Sequence, residues 1–411
     1  MKRSIGLLAL ALTVLLLGFT TPAPAQSSPQ KGTVIVPFSS IAQPGDAGVR
    51  AHTNFEIFVP DEVQPNASYP PGENPPALAC IYKLVTATKG CLESSTNIPT
   101  GGANAIALVD AYDNPDASTD ITTFAKEFGY GTPNFTQVYA TSGPPGSKCT
   151  GKGSQPGNDP GGWSLEEALD IEYSFAMAPK AHIYLVEAQS NSYDDLLCAE
   201  TVASALVAKA GGGEVSNSWQ GGESSGETGY DQYFQASTVV FFASSGDGGA
   251  GVGYPSASPY VVSAGGTVIN RNGSGNFTSE SGWSGSGGGK SSVEKRPKYQ
   301  NVVKKIVGSA RGNPDISFCS VGVAMYDEDG GYGWLEVDGT SISSPSLAGI
   351  INAAGTFNTS SFAQNTEMYG EYPGEYKVEF RDITTGGNSY GCKKGYDLSC
   401  GIGSVLTYKG K

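Results

Sequence analysis

Residues 105–112 read "AIALVDAY". The apolar positions run on continuously instead of alternating with polar ones. A strand of this kind is buried on both faces, as in a parallel sheet covered by helices. The same signal recurs downstream in "HIYLVEA" (182–188) and "STVVFFASSG" (237–246), and "EVSNSW" (214–219) reads as a strand end. Between these runs, helical spacing is found around Ile121–Phe128 and over Tyr193–Ala210. Strands alternating with helices predict an α/β fold, a mostly parallel central β-sheet flanked by helices on both faces, with the active site beyond the carboxyl ends of the strands. The glycine-rich stretch "GWSGSGGGKSS" (282–292) is read as an ordered loop, because Trp283 opens it and strand-like patterning returns soon after.

Upstream, residues 26–72 are polar and proline-rich, with short apolar stretches at Val34–Phe38 and Phe55–Val59 that read as extended strands. Residues 1–25 have a different character. Lys2 and Arg3 precede the apolar run Ile5–Phe19, and Ala23-Pro24-Ala25 follows. This is the pattern of a secretory signal peptide cut after Ala25; the run is short for a membrane span. The remainder, about 385 residues, is long enough to bury a large core as one domain or two.

The formal net charge is −14. It argues against nucleic acid or an anionic membrane as a partner, and it makes acid tolerance plausible because carboxylates lose charge near pH 4. Seven cysteines in an exported chain imply disulfides. Cys80–Cys91 and Cys392–Cys400 are close enough to staple local loops, Cys149–Cys198 is a third pairing, and Cys319 is left over and buried. Sequence alone does not fix this connectivity.

The chemistry starts at "DGTSISSP" (338–345). Ser341 precedes a helical run, Ser343–Ala354, with Pro345 suited to a first turn. A serine there has its own N–H free to help hold an oxyanion, although an ordinary N-cap serine looks the same. A nucleophilic serine needs a base. The chain has two histidines, His52 and His182, and neither stands in a His-Gly-Thr context. Carboxylates are the alternative. In "WSLEEALDIEYSFAMAP" (163–179), Ser164 and Glu167 read as a capping box, and Leu165, Leu169 and Tyr173 as an apolar stripe. Glu166 and Asp170 share the neighbouring face. Buried together, two such carboxyls hold a proton between them and can relay it; exposed, they are an acidic helix surface. Asp247, in "ASSGDGGAG" (243–251), is either a turn residue or, when protonated, an oxyanion donor.

Taken together, these segments resemble the sedolisins, the serine-carboxyl peptidases. The resemblance rests on "PPALACIYKL" (75–84), "LDIEYSFAMAPKAHI" (169–183), "NSW" (217–219), "SSGDGG" (244–249), "PSASPYVVSAGGT" (255–267), "GWSGSGGG" (282–289), "GNPDISF" (312–318) and "GTSISSP" (339–345). It implies a subtilisin-like fold and a secreted, monomeric endopeptidase acting on proteins or peptides in acid. Ser341 would be the nucleophile, Glu166 the general base, Asp170 its carboxyl partner and Asp247 the oxyanion donor. Asp110 and Trp219 would extend the proton network. It also implies one structural Ca²⁺ in the C-terminal loop (381–403), held by the carboxylates of Asp382 and Asp397 and the carbonyls of Ile383, Lys393 and Gly395. The corresponding organisation is a signal peptide (1–25), a short N-terminal segment (26–72) in place of a long propeptide, and a catalytic domain (73–411). Two rivals are a histidine-based peptidase using His182 and a catalytically silent binding or inhibitory module. Asp338, where a small residue is usual, has no role in this reading.

Overall fold

The computed structural model describes residues 32–60, 72–144, 148–158, 161–329, 332–372, 374 and 376–409. The expected signal peptide lies outside the described residues. The central sheet has ten strands. Eight of them run parallel in the spatial order β5 (Phe135–Tyr139), β6 (His182–Ala188), β4 (Ala105–Ala111), β7 (Gly213–Asn217), β9 (Val239–Ser244), β11 (Val262–Arg271), β15 (Ile316–Cys319) and β19 (Ser404–Val405). β12 (Phe277–Gly282) and β18 (Phe380–Arg381) add antiparallel edges.

The other strands form three small sheets. β1 (Gly32–Ile35), β3 (Glu56–Pro60), β17 (Gly333–Asp338) and β16 (Val323–Asp327) make the first. β10 (Gly253–Tyr254), β8 (Trp219–Gly222) and β2 (His52–Thr53) make the second. β13 (Gly289–Lys295) pairs with β14 (Ala310–Asn313). The helices that matter below are α1 (Pro75–Ile81), α2 (Ala117–Glu127), α3 (Trp163–Met177), α4 (Tyr193–Lys209), α5 (Lys304–Val307) and α6 (Thr340–Ala353).

Every residue of β4 is buried, as its unbroken apolar run requires. The pleat sends alternate side chains to opposite faces. Ile106 and Leu108 join the core under α3 and α6, while Ala105, Ala107, Val109 and Ala111 join the core under α4. Asp110 therefore falls on the α3 side, at the carboxyl end of the strand.

Three local expectations are corrected. Helix α3 begins at Trp163, capped by Gly162, so Ser164 lies inside the first turn and makes no capping box. The cause is close packing: a β-carbon on Gly162 would meet Ser39 Oγ at 2.6 Å and Pro37 Cβ at 2.8 Å. Nor does α3 carry one apolar stripe. All its residues are buried, because it is enclosed between the sheet, α2 and α6. Helix α6 likewise starts earlier than expected, at Thr340, which puts Ser341 in its first turn. The glycine-rich stretch after Trp283 is an ordered loop leading into β13, held by Trp283 N–H on Gly266 and Gly287 N–H on Gly246.

The disulfides are Cys80–Cys91, Cys149–Cys198 and Cys392–Cys400, with Cys319 buried and free. No helix among the described residues is long and apolar enough to cross a membrane.

Candidate active site

The carboxyl ends of β4, β7 and β9 converge on the starts of α3 and α6. Ser341, Glu166, Asp170 and Asp110 all have no solvent exposure. The Ser341 hydroxyl donates to the Ser218 carbonyl at 3.2 Å. The Ser218 hydroxyl donates to Asp170 Oδ1 at 2.7 Å and to the Ser341 carbonyl at 3.3 Å. Ser218, just beyond β7, thus ties the serine to the carboxyl pair. The reading of "NSW" gave it no role, although its position between Asn217 and Trp219 was the available signal.

Glu166 and Asp170 stand one helical turn apart on α3, facing Asp110 across the end of β4. Burial raises the pKa of Glu166 well above the usual carboxylate range, and the neighbouring Asp110 pushes it further. The Ser341 hydroxyl and the Asn54 N–H, which reaches Glu166 Oε2 at 3.4 Å, pull it back. Asp170 is raised well above its usual value by burial, then by Asp110 and Glu166. Asp110 is pushed up by burial to about 8. Both Asp110 oxygens, Glu166 Oε1 and Asp170 Oδ2 are buried without a hydrogen-bond donor. Three carboxyls packed this way cannot all ionise, so the group retains protons well above pH 4.

Asp247 lies in the loop after β9. Its Oδ1 accepts both the Thr340 N–H at 2.9 Å and the Thr340 hydroxyl at 2.7 Å. Its Oδ2 is buried with no donor. Burial raises its pKa well above the usual range, against the pull of the two Thr340 bonds. With Oδ1 engaged as an acceptor, the proton belongs on Oδ2. The loop is fixed from behind by the Gly-rich segment, where a β-carbon on Gly287 would collide with the Ser245 carbonyl.

The Ser341 N–H donates to a carbonyl, that of Asn54, at 3.2 Å. Trp219 is fully buried, and its indole N–H donates to the Val109 carbonyl at 2.9 Å, beside Asp110 and not onto a carboxyl. Asp338 accepts the Gly322 N–H at 2.7 Å and is pushed up by burial to about 6, so it fastens a turn next to the site. His182 is the first residue of β6, at the opposite end of the strand from the site, with Nε2 2.8 Å from Thr136 Oγ1. It is not placed to serve Ser341.

In the C-terminal loop, Asp382 Oδ1 accepts from the Gly395 N–H at 3.0 Å and from Tyr376 at 2.6 Å. Asp397 Oδ2 accepts from the Lys393 N–H at 2.7 Å, and its Oδ1 from the Ser399 and Cys400 N–H groups at 2.9 and 2.8 Å. Both carboxylates are therefore turned onto residues 393–395. Cys392 and Cys400 lie beside Asp397 but form a disulfide, so they offer no thiolate ligand. Ile383 is buried against that disulfide.

A mostly parallel sheet flanked by helices, with a serine at the start of a buried helix and carboxyls near the strand ends, defines a subtilisin-like α/β fold. The chain superposes on Pseudomonas sedolisin, a serine-carboxyl proteinase complexed with two molecules of pseudo-iodotyrostatin, with a TM-score of 0.65 at 22% identity over 82% of this chain and 96% of that one. For the S41 psychrophilic protease the TM-score is 0.51 at 19% identity, over 81% and 98%. Both likenesses bear on the fold. In sequence, the chain is 30% identical over 166 residues to sedolisin of Pseudomonas sp. (strain 101), covering 37% of this chain and 27% of that protein. It is 29% identical over 283 residues to tripeptidyl-peptidase 1 of Dictyostelium discoideum (58% and 45%), and 27% identical over 318 residues to kumamolisin of Bacillus sp. (strain MN-32) (68% and 56%). The chain thus spans between about a quarter and just over half the length of these curated relatives. No family model matches. In sequence the chain is similar to sedolisin-type peptidases, and in fold to a solved sedolisin.

Proposed function

We propose that the chain is a peptidase that hydrolyses peptide bonds in proteins at acid pH, with Ser341 as nucleophile and Glu166 as base. The observation that carries this is the chain of hydrogen bonds Ser341–Ser218–Asp170 beside Glu166, with Asp247 bonded to Thr340, the residue before Ser341. Ser341 Oγ adds to the scissile carbonyl carbon as Glu166 takes its proton; Glu166 then returns the proton to the departing amine. Water hydrolyses the resulting ester by the same exchange. Asp170 and Asp110 keep the cluster at less than full charge, so that Glu166 gains and loses a proton at small cost. Protonated Asp247 Oδ2 and the Ser341 N–H stabilise the oxyanion. Both requirements set a window in pH: the cluster must have given up a proton, and Asp247 must have kept its own.

Endopeptidase action, as opposed to release of tripeptides, is supported by the path of the polypeptide past Ser341. Upstream of Asn54, which follows β2, the chain runs on through Ala51 and Val49, bonded to Asn191 and Tyr193, so more than three residues lie along this path before the serine. Export is supported by the signal-peptide pattern and three disulfides.

One Ca²⁺ in the C-terminal loop belongs to the same reading. Two carboxylates facing one short loop fit a hard cation, which takes oxygen ligands, and the N–H groups on Asp397 would orient it as outer-shell bonds do. Asp382, Asp397 and the carbonyls of Ile383, Lys393 and Gly395 would hold the ion and pin the loop.

The direct test is hydrolysis of an unfolded protein at about pH 4. Wild type is expected to degrade it, and Ser341→Ala to lose all turnover while keeping its fold. Turnover retained in Ser341→Ala overturns the reading.

A further inference from the structure

Charge is unevenly placed along this acidic chain. Residues 290–305 hold six of its 25 lysines and arginines, Lys290, Lys295, Arg296, Lys298, Lys304 and Lys305, against one of its 39 acidic residues, Glu294. Glu294 is turned inward, with 6% exposure, while the five lysines are exposed. Among the described residues, none of the six cations forms an ion pair. The net charge of −14 thus conceals one cationic surface.

Local structure decides which way this segment faces. After β13 the chain makes a 3₁₀ turn, Lys298–Val303, that runs directly into α5. The inward side chains are Tyr299, Gln300, Val303 and Val307, all buried. The Tyr299 ring packs edge-on against Phe362, and its hydroxyl donates to the Pro259 carbonyl at 3.0 Å. Arg296 Nε donates to Asn301 Oδ1 at 3.2 Å, and its guanidinium also bonds the Gly308 carbonyl, so it braces the turn and the end of α5. Held in this way, the segment presents Lys298, Lys304 and Lys305 to solvent together with Val302 and Ile306, which are 52% and 39% exposed.

Lysines alone would suit any polyanion. Two aliphatic side chains held out among them gain nothing from an ionic partner, but they gain from an apolar phase. Phosphate headgroups above acyl chains supply both, and lysine stems reach past apolar neighbours to the headgroups. We infer that residues 295–306 are a docking surface for an anionic phospholipid membrane. Lys295, Lys298, Lys304 and Lys305 lie against headgroup phosphates, and Val302 and Ile306 enter the boundary beneath them. The molecule rests on the membrane through this face, with no spanning helix needed. The acidic remainder is repelled, so the net charge orients the molecule at an anionic membrane and does not exclude it from one. The inference stands on this face alone and does not depend on the peptidase reading.

The experiment is co-sedimentation with vesicles at about 0.01 M salt, in the acid buffer of the hydrolysis test. One set of vesicles is phosphatidylcholine and phosphatidylglycerol in equal parts; the other is phosphatidylcholine alone. The protein is the chain as recovered after export. Every variant shares its N-terminus, so the apolar run Ile5–Phe19 cannot account for a difference between them. Wild type is expected to sediment with the mixed vesicles and not with phosphatidylcholine alone. Replacing Lys298, Lys304 and Lys305 together by Gln should weaken binding about 100-fold, from about 5-fold per lysine. Val302→Ser with Ile306→Ser should weaken it at least about tenfold. Both variants should keep the wild-type Tm. Wild type that binds neither set, or both equally, overturns the inference, as does a triple variant that binds like wild type. If soluble dextran sulfate is bound as tightly as the mixed vesicles, and the Val302 and Ile306 changes affect neither, the face serves a soluble polyanion and the membrane inference is overturned.

Discussion

Asp247 sets the upper pH limit of the proposed chemistry. Its Oδ1 is committed to Thr340, so the carboxyl can give an oxyanion a hydrogen bond only from a protonated Oδ2. Ionisation turns that donor into a repelling charge. Asp247→Ala is therefore expected to cost about 10²–10³ in kcat. Asp247→Asn keeps the Thr340 bonds on its oxygen and donates through its nitrogen at any pH, so its kcat/KM should decline less between pH 4 and 7 than that of wild type. Profiles of kcat/KM against pH for the three proteins check this, and identical alkaline limbs in wild type and Asp247→Asn would exclude Asp247 as the oxyanion donor. At this scale the sequence was partly legible. Ser341, Glu166, Asp170 and Asp247 could be nominated because each sits in a short motif whose chemistry needs that residue type. Ser218 and Asn54 could not, because their roles come from where distant strands end.

Among the elements, α3 shows most clearly what periodicity misses. Its carboxyls at i and i+4 were readable as a pair, yet an amphipathic helix was the expected context, and the helix is buried all round. A helix enclosed on every side loses the contrast between faces on which such a reading depends. β4 was legible for the opposite reason, since burial on both faces leaves an unbroken apolar run. The C-terminal loop carries a prediction at this scale. If Asp382 and Asp397 hold Ca²⁺, a chelator such as EDTA should lower Tm, and added Ca²⁺ should restore it. Asp382→Asn should show a smaller response to both. A Tm indifferent to chelation would remove the ion from the account.

Across the whole molecule, many of the described carboxyls are buried. Burial pushes Asp120, Glu336 and Glu227 up to about 7, and Asp110, Glu187, Glu214 and Glu294 up to about 8. A carboxyl whose pKa is higher folded than unfolded binds its proton more tightly in the native state. Its contribution is complete below the unfolded value of about 4, and is lost as pH rises through the folded value. Stability should therefore be greatest in acid. Tm is expected to fall by at least about 5 °C between pH 4 and 8, and a Tm that rises over that range would contradict the assigned protonation. The acidic composition hinted at acid tolerance, but which carboxyls are buried depends on the packing of helices against the sheet. A single measurement bears most directly on the central claim, that a carboxyl replaces histidine as the base for Ser341. It is kcat/KM across the acid range for wild type and Glu166→Gln on the same peptide. The account predicts a loss of about 10²–10⁴ in Glu166→Gln at every pH; activity close to wild type would contradict it.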